Sequence, residues 1–370
     1  MMIPLEPELA PLYRAKQALS DQLLRANRAD GLVLRSRSVE KAVAAAASGQ
    51  NVHAVGIGRK IVEGIPTDTM CVQIYVTQKL APSLIGDNAL PSEVEGVPTD
   101  VIESAPAFLL PAVTAAEEIA VPGVDGIFAL ATAPQPCSAD RRRRQRPVRA
   151  GISTGHIAIT AGTISCFCRS VRPGDNPEQV YVLSNNHVYA DVNNASPGDL
   201  LLQQGRADGG GAADEIARLD RFVFMNLGGV IPNRVDGAIG RLSPGVSFDP
   251  EICSIGRING TAQAFQGMRV RKHGRTTGLT EGAVTSINYD ALVGMDHMDP
   301  SVVARFVDQI RVERTAPHPT FGLGGDSGSL VVTSEGTDAV GLYFAGPDSG
   351  FYGIANPIGA VLAELQIELI

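Results

Sequence analysis

Short apolar stretches, separated by turns rich in glycine, proline and aspartate, make up the chain from residue 152 onward. Strands at this spacing are typical of all-β barrels and sandwiches. A helix should follow them, with Asn356 as its cap, Pro357 in its first turn and one apolar face. The apolar stretches predict strands at 155–168, 178–184, 199–203, 214–225, 235–242, 267–273, 281–289, 305–314, 328–334, 338–345 and 351–355.

The first fifty residues show helical periodicity instead. Within 5–28, five leucines form one stripe opposite charged positions, namely Leu5, Leu9, Leu12, Leu19 and Leu23. A second helix is predicted at 38–48, with Ser38 at its start and Gly49 at its end. Because the polar face carries acids as well as bases, we interpret the pair as a helical hairpin packed on the protein rather than a membrane-surface helix.

Residues 51–104 predict a small α/β subdomain. Apolar and polar residues alternate at 71–77, which indicates a strand, and further strands are expected at 52–57 and 99–103. The glycines of Gly56-Ile57-Gly58 could belong to a phosphate-binding loop. No Gly-Lys-Ser and no complete Gly-x-Gly-x-x-Gly follows them, so we predict a hairpin turn here.

Alanine, proline and glycine dominate residues 105–150, and a run of arginines, Arg141–Arg144 with Arg146, lies near their end. The arginine run could bind nucleic acid or be a cleavage site. We interpret the whole stretch as a solvated linker at a domain boundary.

Composition excludes several classes of protein. The net charge is −8 and tryptophan is absent, so a nucleic-acid partner has no global electrostatic or stacking support. The N-terminal residues lack the basic and apolar regions of a signal peptide, and no apolar run is long enough to span a membrane. We therefore expect no membrane association, although the oligomeric state stays open.

The five cysteines are an odd number at irregular spacing, which is a poor disulfide framework and favours a cytoplasmic protein. Cys166 and Cys168 alternate on a predicted strand and should face opposite ways. A Cys-x-Cys pair without matching partners does not predict a metal site. We expect neither a metal nor another cofactor.

The glycine-rich stretch Gly322–Ser329 presents a single serine, Ser327, directly before a buried apolar strand. A serine hydroxyl becomes a nucleophile when a base takes its proton and nearby N–H groups stabilise the oxyanion. Glycines at 324, 325 and 328 permit the tight turn that exposes such N–H groups. A simple hairpin loop is the alternative unless a base and an acid lie elsewhere.

A candidate base and a candidate acid precede this serine. His187 follows an apolar strand at 180–184, and Asp236 precedes the short strand that begins near Ala238. Asp191, Asp214 and Asp220 compete for the second role, but they lie in polar loops or at strand edges, so we favour Asp236. The order His, Asp, Ser is that of the chymotrypsin-type triad.

A further stretch, Gly274-Arg275-Thr276-Thr277-Gly278, completes a resemblance to bacterial chymotrypsin-fold serine proteases of the streptogrisin and α-lytic protease group. The resemblance covers about residues 150–370. It departs from the family pattern at Asn185-Asn186, where small residues are usual, and at Ser329, where glycine is common. It implies two six-stranded antiparallel β-barrels behind the small N-terminal α/β subdomain, with the site in the cleft between the barrels.

The resemblance also implies roles. Ser327 would be the nucleophile, His187 the general base, Asp236 the orienting acid, and the N–H groups of Gly325 and Ser327 the oxyanion hole. An ion pair between Arg275 and Asp326 would order that loop, since the chain lacks the Ile-Val-Gly-Gly start of animal zymogens. A shallow apolar substrate pocket would be formed by Phe321, Phe344, Gly346, Gly350 and Tyr352.

The sequence thus predicts a helical segment at 1–50, a small subdomain at 51–104, a linker at 105–150 and a protease domain at 151–370. We expect a serine endopeptidase that acts on protein or peptide substrates. A catalytically silent binding or regulatory module on the same fold is the alternative, and a nucleic-acid factor using the arginine run is a third. The position of residues 1–104 invites comparison with protease pro-regions, but their residues do not establish that role.

Overall fold

The computed structural model of the protein describes residues 9–24, 32, 38–112, 136–296, 299 and 301–370. The predicted helices at 5–28 and 38–48 and the alternating strand at 71–77 are present there, and the two ends of the first predicted helix, 5–8 and 25–28, lie outside the described residues. The N-terminal elements are α1 (Ala10–Leu23), α2 (Val39–Ala47), β1 (Val52–Val62), β2 (Ile65–Val76), α3 (Pro82–Ile85), β3 (Glu93–Val94), β4 (Val97–Glu103) and β5 (Ala107–Phe108).

The next elements build an antiparallel sheet of eight strands. The elements are α4 (Pro136–Ala139), β6 (Val148–Ala150), β7 (Ser153–His156), β8 (Gly162–Thr163), β9 (Cys166–Ser170), β10 (Val180–Ser184), α5 (Asn186–Tyr189), β11 (Leu200–Leu202), β12 (Glu215–Phe222), β13 (Ala238–Leu242) and β14 (Phe248–Ile252), joined by the C-terminal strand β21 (Ile367–Leu369). The order of the sheet is β21-β9-β10-β13-β12-β11-β7-β8, so that β8 and β21 add to the six strands expected of this unit. Strands β6 and β14 pair with each other in a separate parallel sheet of two.

The remaining strands form a closed antiparallel barrel of six. The path β15-β18-β19-β20-β17-β16 closes because β15 also pairs with β16, from Arg269 opposite Ala283 to Gly274 opposite Gly278. Its strands are β15 (Arg269–Gly274), β16 (Gly278–Gly294), β17 (Val303–Arg314), β18 (Leu330–Thr333), β19 (Ala339–Ala345) and β20 (Tyr352–Pro357), and α6 (Ile358–Leu365) follows β20. The fold is mainly β with an added N-terminal helix and strand region, as the sequence predicts.

Strand β16 is long enough to serve two neighbours. Its first part completes the barrel, and its second part pairs with β1, with Ala54 opposite Ala291 and Ile57 opposite Ile287. The N-terminal strands therefore continue the sheet of the barrel in the order β1-β2-β4-β3. Whether 51–104 is a separate domain stays a prediction.

The glycines expected to form a hairpin turn lie inside a strand. Gly56 and Gly58 belong to β1, and the turn comes later, where Glu63 and Gly64 have φ of 51° and 81°. A Cβ at Gly56 would overlap the side chains of Ser286 and Tyr289 on β16. These glycines are present because the strands approach closely.

The last helix begins later than predicted. Pro357 occupies the N-cap position of α6, and Asn356 belongs to β20. The Asn356 side chain instead donates to Gln309 Oε1 at 2.7 Å and accepts from the Asp236 N–H at 3.1 Å. Asn356 therefore links the barrel to the loop that carries Asp236.

Candidate active site

His187 lies in the single turn α5, which follows β10 directly. Asn185 has an extended backbone, and its side chain donates to the carbonyl of Asp236 at 2.7 Å. The Asn186 side chain donates to the carbonyl of Val223 at 2.7 Å. The two asparagines that depart from the family pattern are thus fully buried and fix the turn that holds His187.

The His187 imidazole faces a buried carboxylate. Its Nδ1 lies 2.5 Å from Oδ2 of Asp236, which has no exposed surface, and its backbone N–H donates to Oδ1 at 3.2 Å. Because Nδ1 donates to the carboxylate, the other ring nitrogen is the one left to accept a proton. Within the described part of the chain, His187 Nε2 is buried and has no hydrogen-bond partner.

Ser327 stands on a loop that leads into β18. Its hydroxyl donates to the carbonyl of Phe344 at 3.3 Å, and its own carbonyl accepts from the Thr163 N–H at 2.8 Å. Gly328 has a φ of 96°, and a Cβ there would overlap the Thr163 carbonyl and the Ser184 hydroxyl. Only glycine fits after the serine, because the eight-stranded sheet presses against this loop.

The serine loop and the histidine turn meet at Gly162. A Cβ at Gly162 would overlap the side chain of Val188, the residue after His187, and would lie 3.1 Å from the Ser327 carbonyl. Ser327 and Val188, the residue after His187, therefore both lie against the same short strand, β8. The structure joins His187 to Asp236 by a hydrogen bond, and the role of the three residues as a triad stays a prediction.

Two backbone N–H groups of the serine loop have no partner among the described residues. Gly325 has a φ of 92°, and neither its N–H nor that of Ser327 donates a hydrogen bond to any described residue. Buried N–H groups are rarely left unpaired, so such a pair is typical of an anion-binding position.

The carboxylate of Asp326 is buried beside a lysine. Lys272 Nζ lies 3.2 Å from Oδ2, and the Leu323 N–H, the Thr276 N–H and the Thr277 hydroxyl donate to the same carboxylate at 2.7–3.0 Å. Burial alone would raise the pKa of Asp326. The positive charge and the donors outweigh burial, so the pKa lies below its usual value.

The predicted ion pair between Arg275 and Asp326 is therefore wrong. Arg275 instead reaches the connection between β11 and β12 of the eight-stranded sheet. Its Nε and Nη2 donate to the two carboxylate oxygens of Asp208 there, at 2.9 and 2.6 Å. Its backbone N–H donates to the Thr163 hydroxyl at 3.0 Å. The cation beside Asp326 is Lys272. Arg275 links the segment next to Asp326 to the eight-stranded sheet.

Sequence reasoning missed Lys272, although a signal was present. Side chains two apart on a strand share a face, and Val270 is a core residue of β15. Lys272 therefore had to point inward as well, where only a buried anion could balance its charge. Ser329 was noted only as a departure, but its hydroxyl donates to the Asp326 carbonyl at 2.5 Å.

The five residues predicted to line a pocket are all near the loop, mostly as core residues. Phe321 has no exposed surface, packs edge-on against Tyr343, and donates its N–H to the carbonyl of Gly350 at 2.7 Å. Tyr352 is buried, and its hydroxyl donates to the carbonyl of Ala105 at 2.7 Å. Their pocket role stays a prediction.

Phe344 and Gly346, the other two pocket candidates, lie along a segment of the chain's own N-terminal region. The Phe108 N–H donates to the carbonyl of Gly346 at 3.0 Å, and the Gly346 N–H donates back at 3.3 Å. Leu109 donates its N–H to the carbonyl of Gly294 at 2.9 Å and packs in the same apolar cluster as Phe344.

Two cysteines form a disulfide, against the expectation that five cysteines at irregular spacing would form none. Cys137 and Cys253 are joined across 116 residues. Such bonds are rare in reducing compartments, so this pair does not support the cytoplasmic expectation. The other three cysteines are free and buried, namely Cys71, Cys166 and Cys168.

The arginine run contacts folded parts of the protein. Arg141 donates to the carbonyls of Arg275 and Thr276 at 3.0 and 2.8 Å, and Arg144 lies 3.2 Å from Asp214. Arg141 thereby supports the segment next to Asp326. The role of 105–150 as a linker stays a prediction.

Two features are absent from residues 9–24, 32, 38–112, 136–296, 299 and 301–370. No helix in those ranges is both long and apolar enough to cross a membrane. Nor do the same ranges contain a group of three or more histidine, cysteine, aspartate or glutamate side chains placed to hold a metal ion.

No protein-family model matches the chain, and no curated protein matches it. Among solved structures it is similar to bacterial serine proteases, each aligned over 60% of this chain. Thermobifida fusca protease A is 18% identical, covered over 99% of its length, with a TM-score of 0.40. Cellulomonas bogoriensis chymotrypsin is 18% identical, covered over 98%, with a TM-score of 0.40. Nocardiopsis protease is 16% identical, covered over 99%, with a TM-score of 0.41. Likenesses of this size do not by themselves define a function.

Proposed function

We propose that the protein is a serine endopeptidase in which Ser327 is the nucleophile, His187 the base and Asp236 the acid that orients it. The observation that carries this proposal is the buried contact of 2.5 Å between His187 Nδ1 and Asp236 Oδ2, with Nε2 unpartnered among the described residues. A buried carboxylate holds the imidazole in the tautomer whose Nε2 can accept the serine proton.

In the proposed reaction, Ser327 Oγ attacks the carbonyl carbon of a peptide bond while His187 Nε2 takes its proton. The tetrahedral oxyanion accepts hydrogen bonds from the N–H groups of Gly325 and Ser327, the two donors left free by the loop. His187 then returns the proton to the leaving amine, and water releases the acyl-enzyme by the reverse steps. No step needs a metal or another cofactor.

The substrate proposed is an extended protein or peptide segment that pairs with residues 344–346. The hydrogen bond from Ser327 Oγ to the Phe344 carbonyl supports this substrate position, because this stretch of chain then runs beside the serine proposed as the nucleophile. A peptide added to a strand edge gains backbone hydrogen bonds, and its side chains select the sequence. We assign an apolar subsite to Phe321, Gly350 and Tyr352, because the residue proposed for its base, Phe321, is apolar and not an acid that would favour lysine or arginine substrates.

A binding module without catalysis is the second candidate. It is favoured by one observation, namely that the Ser327 hydroxyl donates to Phe344 and not to His187. A nucleophile whose proton points away from its base is not yet activated, although such bonds often form only when substrate is present.

A small fluorophosphonate distinguishes the two candidates, because it reacts only with an activated serine. We expect slow covalent labelling that is abolished in Ser327→Ala and measured by intact mass. If neither the intact protein nor the folded variant Leu109→Ala, which loosens the segment next to Phe344, gains the adduct after prolonged exposure, the endopeptidase proposal fails and the module remains.

A further inference from the structure

The segment 107–112 runs past Gly346 and over the loop that carries Ser327, where the proposed cleft lies. Phe108 exchanges both of its backbone hydrogen bonds with Gly346 in antiparallel register. Among the described residues, no other group bonds the N–H or the carbonyl of Gly346. The edge next to β19 is therefore already occupied by a piece of the same chain, in the manner of a peptide added to a strand.

The side chains of this segment fill apolar space on both sides. Phe108 and Leu109 are 5% and 6% exposed. Leu109 joins a cluster that contains Phe344 and Met225, and Phe108 covers Gly294 so closely that a Cβ there would overlap its ring. Two neighbouring apolar side chains are thus buried on opposite sides of one extended backbone.

Beyond the pairing, the segment passes over the serine loop. A Cβ built on Gly324 would overlap the Pro111 carbonyl and lie 3.3 Å from the Cβ of Leu110. A Cβ on Gly325 would lie 3.1 Å from that of Ala112. The segment therefore covers the face of the loop on which the N–H of Gly325 was proposed to bind an oxyanion.

We propose that residues 107–112 are a built-in ligand of the cleft, which hold it closed and mimic the substrate it takes: an uncharged, extended peptide with consecutive large apolar residues. The statement that the segment mimics the substrate rests on the proposed function, whereas the statement that it occupies the cleft does not. The sequence Ala-Phe-Leu-Leu-Pro-Ala carries no charge. The side chains of Phe108 and Leu109 pack in apolar clusters. An extended apolar peptide from another protein competes for the same hydrogen bonds at Gly346.

The segment is held by far fewer backbone bonds than the strands around it. Three described hydrogen bonds attach Phe108 and Leu109 outside the strand ladders, and β5 pairs with β16 at two positions, whereas β1 and β2 pair along nine residue positions. Short pieces with few hydrogen bonds open at lower free energy than the core ladders. The cleft can therefore open without loss of the sheet that flanks it.

The test measures binding, so that it does not depend on catalysis. A fluorescent peptide of sequence Ala-Phe-Leu-Leu-Pro-Ala is titrated by anisotropy into full-length Ser327→Ala and into the same protein carrying Phe108→Ala and Leu109→Ala. We expect at least tenfold tighter binding to the second protein, because its own segment no longer fills the cleft. Phe265→Ala, which truncates a phenylalanine that is 59% exposed and outside the cleft, is the matched control and should bind like the parent.

Amide exchange locates the binding. The Gly346 N–H should exchange faster in the double variant than in the parent, and the peptide should restore its protection. If the double variant does not fold, Leu109→Ala alone serves, with at least a threefold gain expected. Equal binding to the parent and to a folded variant, no binding to either, or unchanged Gly346 exchange overturns the proposal. A peptide that binds a protein which fluorophosphonate never labels leaves this proposal standing and removes only the endopeptidase.

Discussion

At the residue scale, Asp236 tests the triad most directly. Asn at this position cannot hold the His187 tautomer, and in the best-known triad that change costs about 10⁴ in rate. We expect Asp236→Asn to lower the rate of fluorophosphonate labelling of Ser327 by a factor of that order, with unchanged melting temperature. Asp191→Asn is the matched control and should label like the parent. Full labelling of Asp236→Asn would show that the wrong aspartate was chosen.

Lys272 makes a second prediction at this scale. Removing one partner of a buried ion pair leaves the other unbalanced, which costs about 3–5 kcal/mol. Lys272→Met keeps the length of the side chain but removes the charge beside Asp326, so the free energy of unfolding in urea should fall by about that amount. The exposed control Lys41→Met should change it little.

A double variant checks that the Lys272 effect is electrostatic. Adding Asp326→Asn to Lys272→Met removes the unbalanced carboxylate, and it should recover part of the lost stability. If Lys272→Met is as stable as the parent, the pair with Asp326 does not hold the loop.

At the element scale, the sheet between β1 and β16 depends on glycine. Gly56→Val would place a branched side chain where Ser286 and Tyr289 already lie, and such overpacking costs about 1–3 kcal/mol or more. We expect a fall in stability of at least this size, measured in urea. Gly359→Ala in α6 is the control, because a Cβ there meets no atom within 4 Å. It should be neutral or slightly stabilising. A Gly56→Val protein with unchanged stability would mean that β1 does not pack on β16.

Elements also show what could be predicted from the sequence. Alternation and turn residues located β10, β13 and β19 within a few positions, because each is a local pattern. Periodicity says nothing about partners, so the pairing of β1 with β16 could not be predicted. The apolar stretch 107–112 was included in a linker because its two-residue strand is defined only by the distant Gly294 and Gly346.

At the scale of the whole molecule, the candidate site depends on both sheets. His187 and Asp236 come from the eight-stranded sheet and Ser327 from the closed barrel. The order of the three residues was visible in the sequence, because each adjoins an apolar strand. The inward position of Lys272 follows from its spacing to Val270 on β15, but the pairing of Arg275 with the distant Asp208 has no local pattern in the sequence.

Two buried histidines, His53 and His273, should make the stability of the whole fold depend on pH. His53 Nε2 lies 2.9 Å from the carbonyl of Ser104 in the N-terminal region, and His273 Nδ1 lies 2.8 Å from the carbonyl of Gly151 beside the serine loop. Burial lowers the pKa of each from 6.5 to about 4. Both are therefore neutral in the folded protein at pH 7, and each donates its one N–H to a carbonyl.

Acidification should unfold the protein through these two groups before most carboxylates titrate. Between pH 6.5 and 4 the two histidines are protonated in the unfolded chain but not in the folded protein. The free energy of unfolding therefore has its full value above pH 6.5 and falls as the pH drops. Each histidine contributes a slope of about 1.4 kcal/mol per pH unit in that window. Urea unfolding at pH 7, 6, 5 and 4.5 measures the slope, and His53→Gln should reduce it by about half relative to the parent. Stability that stays level from pH 7 to 4.5 would contradict the burial of neutral His53 and His273.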